Sequence, residues 1–207
     1  MLPSNMLSNV PLPSGWYYHE DSPAGAGVAY TEGGPSLLNP AEGTLGTTWR
    51  VKLKENKYVY LESLTHPETL IHTGVSITWV SLAFDVLMNP LYLWVDQGET
   101  FLSWYDAVVA DRVITSFGSG LVTPTLDLDA KNPIHSGYAD VIFAYLKADM
   151  KLYYRQQRER FTVERLLSDG PFVSIVRTGM NKLNRFQFEL IPYIEPTGAC
   201  DVEVREN

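Results

Sequence analysis

From residue 90 onward, short runs of alternating apolar and polar residues follow one another, with turn residues between them. "LYLWV" leads through "DQGE" into "TFLSWYD", and "RVITSF" leads through "GSG" into "LVTPTLDLD". After "AKNPIHSGY" the pattern starts again: "DVIFAYL", "KADM", "KLYYRQ", then "RFTVERLL", "SDG", "PFVSIVRTG" and a closing "NRFQFELIPYI". Period-two alternation bounded by Gly, Asp, Ser and Asn predicts antiparallel strands joined by tight turns. In "DVIFAYL" the alternation puts Val141, Phe143 and Tyr145 on one face and Ile142, Ala144 and Leu146 on the other. Leu152 and Tyr154 share a face in the next strand, opposite Tyr153 and Arg155.

The two blocks align without a gap at a shift of fifty residues: Leu93 on Phe143, Leu102 on Leu152, Trp104 on Tyr154, Val113 on Val163, Gly120 on Gly170. A period of this size with four short strands per unit predicts blade-like repeats, a partial propeller; evenly spaced strands of a β-sandwich are the alternative. Upstream, "WRVKL" and "KYVYLES" form a hairpin over 49–63, followed by strands in "ETLIHTG" and "VSITWVSLAFD". Helical propensity is confined to "WYDAVVADRV" and "TVERLL"; the repeat calls for a connection or a strand at both, and both are assigned to strands.

The pattern divides the chain into an extended N-terminal arm and loop (1–48), a β-repeat domain (49–194) and a C-terminal tail (195–207). Pro3, Pro11 and Pro13 interrupt helix and strand in the arm, and 22–48 is a Gly- and Pro-rich loop with one short strand near 28–30. Such a segment builds no core of its own. Its aromatics, Trp16, Tyr17, Tyr18 and Tyr30, are therefore expected to dock on another chain.

Composition narrows the function. Of 207 residues, 16 are Lys or Arg and 24 are Asp or Glu, a formal charge of −8, which argues against nucleic acid held on a broad basic surface. Cys200, the single cysteine, excludes an internal disulfide and a multi-cysteine zinc site. No apolar run approaches the roughly 18 residues that span a bilayer, and the N-terminus lacks the basic and apolar regions of a secretory signal. The four histidines, His19, His66, His72 and His135, show no metal-ligand spacing. "DLDAKN" resembles the start of a calcium loop but lacks its Gly and terminal Glu. No phosphate loop or nucleophile elbow occurs. Asp127 and Asp129 would stand roughly 7 Å apart on one face of a strand, a weak glycosidase pair. No cofactor is expected.

The segments "SLAFDVLMNPLYLWVDQGETFLSWYD", "YADVIFAYLKADMKLYYRQQRERFTVERLL" and "VRTGMNKLNRFQFEL" resemble a family of tailed-bacteriophage virion proteins. The resemblance covers roughly 81–190, and "LYYRQQRERF" is its most specific part. It implies a multi-copy, non-enzymatic structural component of the tail, such as a hub, nozzle or tip. That component would be assembled in the bacterial cytoplasm, with copies of itself and other tail or connector proteins as partners. A receptor- or carbohydrate-binding module is the alternative, because aromatic-rich β-repeats can present Trp and Tyr to sugars; a glycan hydrolase is a third. The charged run reads as a solvated turn between two strands or as a partner surface; beyond the arm aromatics, the candidate partner contacts are Arg155, Arg158 and Arg160 in that run, and Phe186 and Phe188 on a strand left at a sheet edge.

Overall fold

A computed structural model describes residues 19–20, 28–32, 48–63, 66–85, 89–129, 140–180 and 186–194. Within them the chain is all-β, in four antiparallel meanders that follow sequence order. Sheet I holds β1 (His19–Glu20), β2 (Val28–Glu32), β3 (Thr48–Lys54), β4 (Tyr58–Ser63) and β5 (Thr69–Thr73). Sheet II holds β6 (Ile77–Phe84), β7 (Pro90–Asp96), β8 (Glu99–Asp106) and β9 (Asp111–Ser119). Sheet III holds β10 (Val122–Asp129), β11 (Asp140–Leu146), β12 (Leu152–Gln156) and β13 (Arg165–Ser168). Sheet IV holds β14 (Phe172–Met180) and β15 (Phe186–Pro192).

The sheets stack face to face with three cores between them. Trp49, Val51, Leu53 and Val59 of sheet I meet Val80, Leu82, Phe84 and Trp94 of sheet II. Ala83, Leu91, Leu93, Leu102 and Trp104 meet Leu126, Leu128, Val141, Phe143 and Tyr145 of sheet III. Ile142, Ala144, Leu146 and Leu152 meet Ile175 of sheet IV, with Phe172, Phe188 and Leu190 packed alongside. Every residue of β11 is buried, because its odd positions serve one core and its even positions the next. A strand buried on both faces is apolar throughout, as "DVIFAYL" is after its first residue.

The first strands of sheets II, III and IV run side by side in the same direction. Trp79 Nε1 donates to Pro124 O (2.6 Å), and two residues further along both strands Leu126 N donates to Ser81 Oγ (3.0 Å). Ile175 N donates to Thr123 Oγ1 (2.9 Å) in the same sense between β14 and β10. Successive meanders that share an inner row of parallel strands are blade-like.

The repeat is present, but its phase differs from the sequence alignment. "LVTPTLDLD" opens sheet III rather than closing sheet II, and "PFVSIVRTG" opens sheet IV. Periodicity cannot set the phase, because the β9–β10 link is as short as the hairpin turns. Gly118 and Gly120, with φ of +74° and +85°, turn the chain from one sheet to the next there. Nor is the alignment free of gaps. Leu93 pairs with Leu102, whereas Phe143 pairs with Arg155 and Leu152 with Leu146. The β7–β8 turn is Gln97–Gly98, both residues at positive φ as a tight hairpin needs, while five residues, 147–151, join β11 to β12. Trp104 and Tyr154 share the third strand of their sheets and the face turned toward the next sheet, whereas Leu93 and Phe143 take opposite faces. Trp104 points into the core between sheets II and III, and Tyr154 packs on the core between III and IV.

Both stretches of helical propensity also differ from a continuous strand. "WYDAVVADRV" is the β8–β9 turn with its flanking strand ends, and Ala110 sits at φ +55°. In "RFTVERLL" the strand begins only at Arg165. The residues before it belong to the site described next.

Candidate functional site

The block "LYYRQQRERF" ends sheet III's third strand and crosses to sheet II. After β12 the chain makes one 3-10 turn, Gln157–Glu159, then places Arg160 and Phe161 in the left-handed region at φ of 55° and 56°. Arg160 N donates to Gln157 O (2.7 Å) and Phe161 N to Gln156 O (2.9 Å), closing the turn. The reversal inserts Phe161, 1 % exposed, into the core between sheets II and III. Its ring meets Trp104 edge-on at 5.3 Å and 85°, a favoured aromatic geometry.

The charged residues of the run surround this plug. Arg160 Nε and Nη2 both donate to Asp106 Oδ2, at 2.9 and 2.5 Å, linking the sheet III turn to the end of β8. Burial pushes the Asp106 carboxyl up, yet the Val108 N–H and the Arg160 guanidinium outweigh it and hold the group below the usual carboxylate range. Arg158 donates its backbone N–H to Asp140 Oδ1 (3.0 Å), and its Nε stands 3.2 Å from Oδ2. Desolvation nevertheless pushes Asp140 up to about 6. Gln157 Nε2 reaches Asp85 Oδ2 at 3.3 Å, a second link to sheet II, and Asp85 also accepts from Asn89 N and Nδ2.

Arg155 is the most heavily bonded residue of the run. It donates to Tyr145 Oη (2.8 Å), Phe161 O (2.9 Å), Thr162 O (3.1 Å) and Glu164 Oε2 (3.2 Å), and lies over the Phe117 ring of β9 at 5.5 Å. Glu164 also takes Lys147 Nζ and the Tyr145 hydroxyl at 2.5 Å each. Burial and then the Glu164 hydrogen bond push the Tyr145 hydroxyl up. Arg165 closes the perimeter with a two-pronged pair to Glu159.

Arg155, Arg158 and Arg160, expected to meet acidic groups of a neighbouring chain, thus have carboxylates of their own chain as partners. The run is neither a solvated turn nor a bare cationic surface. It is a clamp between two sheets, although the Arg158 and Arg160 side chains keep about half their surface in solvent, 53 % and 50 %. Tyr30 lies in β2 opposite Arg50. Phe188 packs on the core between sheets III and IV, so its side chain serves sheet IV itself, while Phe186 pairs with Met180 at the start of β15. Trp16, Tyr17 and Tyr18 lie outside the described residues, as does Cys200.

His66 packs beside Trp49 and His72 on Trp94, with ring centroids 5.2 and 4.1 Å apart. Burial pulls the His72 imidazole down against the opposing charge of Asp96. Among the described residues no three His, Cys, Asp or Glu side chains converge as a metal set. Asp127 has no exposed surface and so does not face a substrate from that position. Among the described residues no helix is long and apolar enough to cross a membrane. Sequence reasoning missed Phe161 as a core residue, because it follows six charged or amide side chains and its backbone reversal has no glycine to mark it. It also missed Asp106, Asp140 and Asp85 as acceptors; their position at or next to strand ends is the one signal the sequence carries for them.

No protein-family model, curated protein or solved structure matches the chain.

Proposed function

We propose that the chain is a non-enzymatic structural component of a tailed-phage virion, in the tail hub, nozzle or tip, built into a multi-copy ring. Sheet IV carries this reading. It has two strands where the other sheets have four or five, and among the described residues β15 has β14 as its one strand neighbour. Large apolar side chains stand exposed around it: Val173 (48 %), Ile191 (47 %), Tyr193 (40 %) and Ile194 (80 %). A short sheet with a backbone edge and apolar surroundings is suited to completion by a neighbouring chain, and rotational symmetry lets identical copies complete one another. The inter-sheet clamp is compatible with a rigid structural part, since Arg160–Asp106 and Gln157–Asp85 tie sheet III to sheet II. The resemblance of "LYYRQQRERF" and its flanks to virion proteins supplies the particle.

A carbohydrate-binding module would need exposed indole faces. Trp49, Trp94 and Trp104 are buried in cores and Trp79 is tied through Nε1 to Pro124, so the described tryptophans give that reading no support. Native mass spectrometry of the purified chain, with a protein census of purified particles, tests the proposal. A closed oligomer that Ile191→Asp/Ile194→Asp dissociates, together with the chain's presence in particles, is the expected result. A chain that stays monomeric at high concentration and is absent from particles overturns it.

A further inference from the structure

Sheets II and III each have a third and a fourth strand, and the outer half of sheet II is covered by sheet III. Trp104 on β8 is 3 % exposed there, and Val113 on β9 packs on the same core. The outer half of sheet III has no such cover. Tyr154 stands on the third strand, on the face turned toward sheet IV, and is only partly buried at the margin of that core. Arg165 of β13 lies opposite Tyr154 and so shares its face, and its side chain keeps 38 % of its surface in solvent. The cause is the size of sheet IV. Its two strands lie over β10 and β11, and among the described residues it has no third strand to lie over β12.

The chemistry of the missing strand is set by its place. It would run antiparallel to β15, as every neighbouring pair in these sheets does, with alternate apolar side chains turned onto Tyr154 and polar ones turned away. Residues 200–205, "CDVEVR", have that pattern: Cys200, Val202 and Val204 alternate with Asp201, Glu203 and Arg205. They lie outside the described residues, and the sequence alone nominates them. Tyr193 N still donates to Pro171 O (3.0 Å), prolonging the ladder with β14, so six residues, 194–199, remain as the link. Hairpin loops commonly have about two to five residues, whereas six extended residues reach about 20 Å, enough to cross to a neighbouring copy. Ile194, where the link begins, is 80 % exposed.

We propose that residues 200–205 of one copy add to β15 of the next copy as the third strand of its sheet IV. The inference rests on the multi-copy ring proposed above and names the contact that joins its members.

Native mass spectrometry of the full chain and of its Val202→Asp/Val204→Asp variant tests this, in reducing buffer so that Cys200 cannot link chains. The wild type is expected to be oligomeric and the variant monomeric, while Asp201→Ala/Glu203→Ala, on the face turned away, keeps the oligomer. The monomeric variant then serves as receptor for a fluorescent peptide of residues 195–207, read by anisotropy. The wild-type peptide should bind, and a peptide carrying the same two aspartates should bind about a hundredfold more weakly, having lost two buried valines. A variant that stays oligomeric, or that ignores the wild-type peptide, overturns the strand exchange and leaves the ring standing. A wild type that is monomeric at high concentration overturns the exchange together with the ring. If the variant does not fold, excess wild-type peptide must dissociate the wild-type oligomer where the aspartate peptide does not, and an oligomer indifferent to both overturns the exchange.

Discussion

Phe161→Ala removes the plug between sheets II and III while leaving a residue with the same Cβ, so the left-handed backbone is not relieved. Phe161 is 1 % exposed and lies in the largest of the three cores. A buried aromatic withdraws about 150–250 Å² from water, which at about 25 cal/mol per Å² gives a gross term of about 4–6 kcal/mol. Alanine retains part of that area, and the cavity left by the ring adds a cost of its own, so the expected loss is about 3–5 kcal/mol. This is a large fraction of the roughly 5–15 kcal/mol that holds a domain folded. Urea unfolding followed by far-UV circular dichroism measures it. Phe161→Leu, with an expected loss of about 1–2 kcal/mol, keeps the test readable if the alanine variant does not fold. A double-mutant cycle with Trp104→Phe should return a coupling of about 0.5–1.5 kcal/mol from the edge-on contact. A loss below about 1 kcal/mol for Phe161→Ala is what an exposed loop residue gives, and that result would refute the inter-sheet plug.

Arg160→Gly should destabilise less than Arg160→Ala in the same assay. Both lose the Asp106 pair, but glycine relieves a φ of 55° that costs other residues about 1–2 kcal/mol; equal losses would argue against strain there. Asp140 binds its proton more tightly folded (about 6) than unfolded (about 3.8), so its contribution is fully present below about pH 4 and is lost as pH rises through 6. Wild type should therefore lose stability relative to Asp140→Asn across that window, by at most about 3 kcal/mol at 1.36 per pH unit and less after screening, and a flat difference between the two pH curves would contradict the shift. Gly170→Ala should fail to reach native stability, because a Cβ there meets Met150 O at 2.3 Å and φ is +71°; a melting temperature within a degree of wild type would sink the claim.

Strand identity was legible in the sequence because alternation is a direct consequence of which face each side chain takes. Ile142, Ala144 and Leu146 serve one core and Val141, Phe143 and Tyr145 the other, as the pattern requires. Which four strands make one sheet was not legible. Gly118–Ser119–Gly120 and Gln97–Gly98 are both short and glycine-bearing, yet the second closes a hairpin and the first changes sheets. That choice depends on long-range packing: β10 lies against β6 through Ser81 and Trp79, residues some forty-five positions away. Turn length was likewise hidden, since an ungapped alignment scores residue similarity and cannot count the residues that leave the ladder. The three extra positions at 147–151 shifted Leu152 away from Phe143 without disturbing the alternation.

The Arg run shows why a site of this kind resists sequence reading. A dense mixture of Arg, Gln and Glu on an acidic protein suggests a solvated turn or a surface for another chain, because sequence distance hides the acceptors. Asp106 is 54 residues from Arg160, and Asp85 is 72 from Gln157. Both acceptors come from the preceding sheet, so Arg160 and Gln157 find these partners only after sheets II and III have stacked. Phe161 depends on the same event: its ring has nowhere apolar to go until Trp104 is in place. The clamp therefore reinforces a contact that core packing has already selected. Its charged groups fix the register of the two sheets, while the buried ring supplies most of the stabilisation. That division places the specificity of the "LYYRQQRERF" block in inter-sheet geometry, and it leaves the apolar margin of sheet IV as the better candidate for contact with other chains.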